Sequence, residues 1–415
     1  MKGSLPISHW MSRLRQRPQP IPPRKIVRKT CEISSFGNSH RPTWAEISLD
    51  ALTVNFKNIQ RFVGRVEVCA VVKAGAYRHG AVECATALEK AGARWFGVTT
   101  TEEGVQLREA GIRGRILLMT GFWHGDEEEI IQKNLTPAVW EDWHLVSLRR
   151  SAQKLGDLKV PVHLKIDTGM ARLGVPSGEL QRTIDDLKAQ SELQLEGIFT
   201  HLASAEILGD IGVTEQLACF CESASQVRQN GYRPRYLHTA NSAAIVNRRD
   251  AWHNMVRPGI SLYGYYPAFS PQPPELPRVA PVLRWKTKII SIRRAPRGQR
   301  VGYNGTFTTT RDSRIAVLPV GYGDGLNRQL SSKGRVLIRG QFAPMLGRIS
   351  MDLTLVDVTD IVGVHIGDEV VLLGTSGAQR IDASEHAELA STISYEVLCN
   401  ISKRVPRLYL NDLPH

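Results

Sequence analysis

Residues 66–90 read VEVCAVVKAGAYRHGAVECATALEK. The first eight are apolar apart from Glu67 and the closing Lys73, and valine dominates them, so they read as a buried strand. Gly75 and Gly80 punctuate the turn that follows. From residue 80 to residue 90 the apolar side chains Ala81, Cys84, Ala87 and Leu88 recur at the spacing of one helix face. Strand, turn and helix follow one another here, and the rest of the first two thirds of the chain repeats the unit.

Further strand-like stretches lie at 95–100, 116–120, 137–140, 160–167, 195–201, 235–240 and 255–260. Helical spacing occupies 145–155, 179–192 and 204–231 between them. Eight strands, most followed by a helix, have the rhythm of a (β/α)8 TIM barrel. A doubly wound open sheet is the alternative, and the count favours the barrel. The expected domains are a barrel over 41–280 and a C-terminal mostly-β domain over 281–415. In the latter, short β-rich runs at 283–293, 300–307, 314–319, 334–338, 351–358 and 369–373 alternate with turn residues. One helix is expected over 383–401, with Ser384 as its N-cap. Residues 43–49 alternate like a strand and are a candidate partner for the C-terminal domain.

The chain has 415 residues and a formal net charge of +13. Eight of its Lys and Arg residues fall within residues 1–31, which contain no acid. That uneven distribution argues against reading the charge as a nucleic-acid surface, because the remainder carries only about +5. With Pro18, Pro20, Pro22 and Pro23, residues 1–40 read as a disordered basic leader. It lacks the apolar core of a secretory signal, and its prolines oppose the amphipathic helix of an organelle transit peptide. The expectation is an extension without function, or a true start at Met11. The six cysteines show neither zinc-ligand nor redox pairing, and no apolar run is long enough to span a membrane. A cytoplasmic protein without metal or membrane partner is expected.

Barrel enzymes work at the C-terminal ends of their strands. Five of the eight expected strand ends carry polar or charged residues: Lys73; Lys165, Asp167 and Arg172; His201; His238 with Ser242; and Arg257. Taken singly, each is an ordinary strand-end salt bridge or a lysine reaching for solvent. Together they describe a site. A buried lysine loses its proton more readily and can attack an aldehyde. Ser242 and the turn at Gly259 follow the last two strands, where barrels commonly bind phosphate.

From about Arg41 to the C-terminus these motifs, in this order, resemble the alanine racemase family. The likeness rests on the run around Lys73, on 165–174 (KIDTGMARLG), 200–204 (THLAS), 240–243 (ANSA), 257–260 (RPGI), 301–305 (VGYNG), 320–325 (VGYGDG), 347–352 (GRISMD) and 395–396 (YE). It implies a homodimer that uses pyridoxal 5'-phosphate to interconvert L- and D-alanine, supplying D-alanine for peptidoglycan. In that pattern Lys73 carries the cofactor and is one base. Tyr303 is the other base and reaches the site of the partner subunit, as does Met351, whose backbone helps hold the substrate carboxylate. Arg172 contacts the cofactor phenolic oxygen and the substrate carboxylate, Arg257 faces the ring nitrogen, and His201 lies between Tyr303 and Arg257. Tyr77, Ser242, Gly259, Ile260 and Tyr395 hold the phosphate. Lys165 matches a lysine that some members carry as a carbamate, an anion that would orient Arg172.

Racemisation needs two bases on opposite faces of a planar carbon, and lysine and tyrosine both ordinarily titrate near pH 10. An arginine opposite the ring nitrogen does not give up its proton, so the nitrogen stays unprotonated and the electron sink is weaker than with a carboxylate. Two residues depart from the family run: Gly75 and Arg78 stand where asparagine and glycine are usual. Arg78 brings a long cation near Tyr77, directed either at the phosphate or into solvent. A serine or broader-specificity racemase remains an alternative. So do a barrel-type decarboxylase, which is expected to place a carboxylate where Arg257 stands, and a non-catalytic cofactor-binding protein.

Overall fold

The computed structural model describes residues 41–412; the basic leader, residues 1–40, lies outside the described residues. Eight parallel strands follow one another in chain order: Glu67–Val71, Trp95–Val98, Arg115–Leu118, Thr136–Val139, Val160–Asp167, Leu193–Phe199, Tyr236–His238 and Met255–Val256. We call them barrel strands 1 to 8. Strand 8 pairs with strand 1, Met255 opposite Glu67 and Val256 opposite Val68. Strands 7 and 8 meet through Arg257 N donating to Ala240 O at 2.9 Å. The result is a nearly closed (β/α)8 barrel. All eight strands coincide with expected stretches, because buried parallel strands are near-continuous apolar runs.

Each helix packs one apolar stripe on the barrel. Leu49–Val63 starts where Ser48 accepts from Ala51 N, and it buries Leu52, Phe56, Ile59 and Val63. Full burial of each such side chain stabilises by about 1.5–3 kcal/mol. Ala81–Lys90 buries Ala81, Cys84, Ala85 and Leu88, and Leu180–Lys188 buries Leu180, Thr183, Ile184 and Leu187. Inside the barrel, Cys69, Trp95, Leu117, Tyr236 and Met255 form a separate apolar cluster.

The second half is mostly β. Its main sheet runs Gln341–Pro344, Arg335–Ile338, Glu369–Ser376, Leu283–Lys288, Thr43–Ser48, Arg407–Leu410. Thr43–Ser48 pairs antiparallel with Leu283–Lys288 and parallel with Arg407–Leu410, so the chain enters the barrel from this sheet.

Several expected elements differ. The single strand over 283–293 is two strands in different sheets, Leu283–Lys288 and Ser291–Ala295. The strand over 300–307 is two short strands around a turn at Tyr303–Gly305, because Gly302 and Asn304 take positive φ of 75° and 59°. The helix over 383–401 is two, Ala383–Ala390 and Ser394–Asn400, parted at Ser391 with φ 56°. Its N-cap is Asp382, which accepts from Ser384 N and Glu385 N, rather than Ser384. Strands Gln341–Pro344 and Arg407–Leu410 were not read from the sequence, since neither carries a clean alternation of apolar and polar residues.

Candidate active site

Barrel strand 1 ends at Val71, two residues before Lys73. From Ala74 to Arg78 five consecutive residues take φ between 52° and 68°, a left-handed turn in which only Gly75 is at ease. Such a conformation costs roughly 1–2 kcal/mol per non-glycine residue. Local bonds hold it: Ala76 N to Val72 O at 2.8 Å, Arg78 N to Ala74 O at 3.0 Å and Gly80 N to Gly75 O at 2.9 Å. The Glu103 carboxylate accepts from Ala74 N and from Thr99 N, tying the turn to the end of barrel strand 2. The cationic departure, Arg78, is half-buried, and its Nε donates to Cys399 O at 3.2 Å, on the helix that carries Tyr395.

This turn forms one wall of a cavity of about 330 Å³ at the C-terminal ends of the strands. Lys73, Tyr77, His201, Ser242, Arg257, Gly259, Ile260 and Tyr395 all line it, brought together from both halves of the chain. Met119, Asn241 and Cys399 line it too; nothing in the local pattern of Met119 and Cys399 marks them in the sequence, while Asn241 lies in the 240–243 run without a role assigned to it. Asn241 has an evident task. It caps the helix Ser242–Asn247, accepting from Ala243 N and Ala244 N, and so fixes Ser242. The Ser242 hydroxyl accepts from Gly259 N at 2.9 Å. A Cβ on Gly259 would stand 2.3 Å from the Tyr77 hydroxyl, so glycine is what leaves room between these two groups.

The charges are lopsided. Burial pushes the Lys165 amine down to about 8, and Arg257, Arg172 and Lys73 push the same way. Among the described residues its one hydrogen bond goes to Met119 O, and it faces the rings of Trp140 and Phe199. Burial, then Arg172, lowers Lys73 below the usual lysine value, with Glu103 opposing. His201 falls to about 3 through burial and the same cations, so its ring is neutral. Burial raises Tyr77 and Tyr395, which therefore present neutral hydroxyls. A pocket with four cations around it is built to receive an anion.

Arg257 is 4% exposed, and burial brings its guanidinium down to about 10. Among the described residues it donates only to neutral groups: from Nη1 to His238 Nδ1 (2.7 Å) and His238 O (2.8 Å), from Nη2 to Thr200 O (2.7 Å) and Thr239 O (3.1 Å). Those bonds occupy four of its five N–H groups. The fifth, on Nε, is left for the cavity.

Arg172 is exposed beside the cavity, on the turn after barrel strand 5. Asp167 shapes that turn by accepting from four backbone N–H groups, Gly169, Met170 and Ala171 on Oδ1 and Arg172 on Oδ2. Burial raises the carboxyl, but the four N–H groups outweigh it and hold its pKa below the usual value. Its support for the turn is full above the ordinary carboxylate pKa and fades as pH falls through the depressed one. Asp167→Asn should lower stability by about 2 kcal/mol and raise KM by loosening Arg172, as thermal unfolding and initial rates would register. An unchanged KM would mean that the turn does not position Arg172.

Tyr303 and Met351 are not brought into this cavity. They are 68% and 53% exposed, on loops of the second half together with the exposed Tyr322 and Leu353.

The chain matches the alanine racemase N-terminal domain over residues 47–267 and the alanine racemase C-terminal domain over residues 282–409. It is 42% identical over 369 residues to an alanine racemase of Symbiobacterium thermophilum, covering 89% of this chain and 97% of that protein. The solved alanine racemase of D-cycloserine-producing Streptomyces lavendulae superposes with a TM-score of 0.84 at 32% identity, over 90% of this chain and 98% of that one. That of Bartonella henselae, with covalently bound pyridoxal phosphate, gives 0.80 at 32% identity over 89% and 99%. With both domains matched in order along nearly the whole described chain, the protein belongs to the alanine racemase family.

Proposed function

We propose that this chain is a pyridoxal-phosphate-dependent racemase that interconverts L- and D-alanine, with Lys73 and Tyr303 as its two bases. The observation that carries the reading is the cavity itself. An amine with a lowered pKa, one free arginine N–H and a cradle of hydroxyls and backbone surround a space within the range of ligand cavities of ~300–1,000 Å³. The space that Gly259 leaves before the Tyr77 hydroxyl, with Ser242 and Tyr395 alongside, suits a phosphate. Arg257 Nε suits an unprotonated ring nitrogen. The bound cofactor would supply an electron sink that acidifies the α-hydrogen of the amino acid.

The remaining steps belong to the protein. Lys73 Nζ, which gives up its proton more readily because it is desolvated beside Arg172, takes or returns the α-proton on one face. Arg172 draws in the substrate carboxylate. His201 stays neutral and completes the wall without adding charge. Tyr303 acts on the other face. Its exposure and its absence from this cavity support a homodimer in which each subunit lends Tyr303 and Met351 to its neighbour. The product is a peptidoglycan building block, which fits a cytoplasmic enzyme; among the described residues no helix is long and apolar enough to cross a membrane. A panel of small L-amino acids tests the assignment. Alanine should racemise fastest, serine more slowly and bulky residues hardly at all, and equal rates would refute it.

Lys165 belongs to this proposal as well. Its amine, at about 8, is unprotonated often enough near neutrality to add carbon dioxide, forming an N–C bond and releasing a proton. The resulting carbamate would place an anion among Arg172, Arg257 and Lys73. Carbon-13 bicarbonate should give a carbamate signal that grows as pH rises through 8 and vanishes in Lys165→Ala. Its absence from the unsubstituted protein would leave Lys165 a plain amine.

A further inference from the structure

Behind Arg257 a line of polar side chains runs down the inside of the barrel, where apolar packing is the rule. His238 Nε2 lies 2.8 Å from His163 Nδ1. His163 is fully buried on barrel strand 5, and its Nε2 has no hydrogen-bond partner among the described residues. That nitrogen is 3.6 Å from Glu196 Oε2 on barrel strand 6, close enough for an ion pair and longer than a formed hydrogen bond. Both oxygens of Glu196 in turn hold Arg115 at the start of barrel strand 3.

The direction of the protons follows from one fact. Arginine cannot accept a hydrogen bond. His238 Nδ1, 2.7 Å from Arg257 Nη1, must therefore accept, so this histidine is neutral with its proton on Nε2. That proton points at His163 Nδ1, which must accept in its turn. The His163 proton then sits on Nε2, aimed at Glu196. The opposite order would set two N–H groups against each other beside Arg257. Burial lowers the pKa of both histidines, in keeping with neutral rings.

The barrel makes room for this line. A Cβ on Gly197 would fall 2.6 Å from the His163 ring, so only glycine admits the imidazole there. The pairing of strands 5 and 6 shifts register between Val162 and His163, at the residue concerned. Trp95 packs against His163 at 5.4 Å between ring centres, and the Arg115 guanidinium lies over the same indole at 4.7 Å.

We propose that His238, His163 and Glu196, anchored by Arg115, form a one-way chain that positions Arg257 and passes the carboxylate charge to the single guanidinium N–H left for the active site. This rests on the cofactor reading above, in which that N–H meets the ring nitrogen. All four are positioning residues, since none of them lines the cavity.

The charge can be altered from either end. Glu196→Gln keeps the shape and removes the anion, which leaves Arg257 Nε the stronger donor. Arg115→Met removes the neutralising partner, exposes His163 to the full carboxylate and makes Nε the weaker donor. The test uses the cofactor-loaded full chain. Its readouts are the visible absorption of the bound cofactor and its pH titration, the kcat and KM for alanine, and nitrogen-15 chemical shifts of labelled histidines. The expected result is opposite displacement of the titration by the two variants. Glu196→Gln should also lower kcat by about tenfold or more at nearly constant KM, and Glu196→Asp should restore part of it. Histidine shifts reporting Nε2-protonated neutral rings support the chain whether or not alanine proves to be the substrate. Titrations that move together or not at all, or Nδ1 protonation at His238, would overturn it. Arg115 is partly exposed, so Arg115→Met keeps the question open to experiment should Glu196→Gln fail to fold.

Discussion

Lys73→Ala is expected to abolish racemisation, with a fall in kcat/KM of about 10⁴-fold or more, equivalent to at least ~5.5 kcal/mol of transition-state stabilisation. The size follows from two duties on one amine. On the proposed mechanism Lys73 anchors the cofactor and moves the α-proton, so its removal would take away both the covalent link and a base. The turn itself should survive. Its bonds run through backbone groups and Glu103, and the Lys73 side chain takes part in none of them. Borohydride treatment should therefore fix the cofactor to the unsubstituted protein at the peptide carrying Lys73 and leave Lys73→Ala unlabelled, at a nearly unchanged melting temperature. Labelling elsewhere, or substantial turnover by the variant, would remove Lys73 from the mechanism.

The barrel was open to reading because its strands are apolar on both faces and its helices are apolar on one, which leaves a strong periodic signal. The C-terminal half was harder. Its strands are short, and turns with positive φ at Gly302 and Asn304 cut through runs that look continuous in sequence. Lys73, Arg257 and Ser242 could be found because polar residues at the ends of buried strands stand out against their surroundings. Met119 and Cys399 reach the same cavity from loop and helix positions that look ordinary. Glu196 and Arg115 were missed for another reason. A charge on a barrel strand looks outward-facing until the pleat shows that it points at His163, and a strand shift of one register decides which face it takes.

The left-handed turn shows how the parts depend on one another. Four non-glycine residues hold a costly conformation, and what they gain is placement. Lys73 and Tyr77 face the cavity from opposite ends of five residues, while Arg78 reaches the helix bearing Tyr395. Glycine is the unstrained choice at φ 68°, so the arginine must draw compensation from its bond to the Cys399 carbonyl near the C-terminal end of that helix, where a cation is favoured.

Tyr303→Phe is expected to lower kcat by about 10³-fold, within the usual range for loss of a general acid or base. The more decisive experiment combines it with Lys73→Ala. In the proposed homodimer, either variant alone would have two damaged sites. A mixed dimer has two unlike sites if Tyr303 crosses the interface: one combines both substitutions and the other combines neither. Equal amounts of the two subunits, unfolded and reassembled together, give mixed dimers as half of the population, each with one intact site of two. Activity should then recover to roughly a quarter of the unsubstituted level, from two nearly inactive parents. If Tyr303 served its own subunit, every site in the mixture would carry one substitution, and activity would stay at the level of the parents. The exposed position of Tyr303, outside the cavity of its own subunit, favours the first outcome, because a phenol placed there can reach a reacting carbon only in a neighbouring subunit.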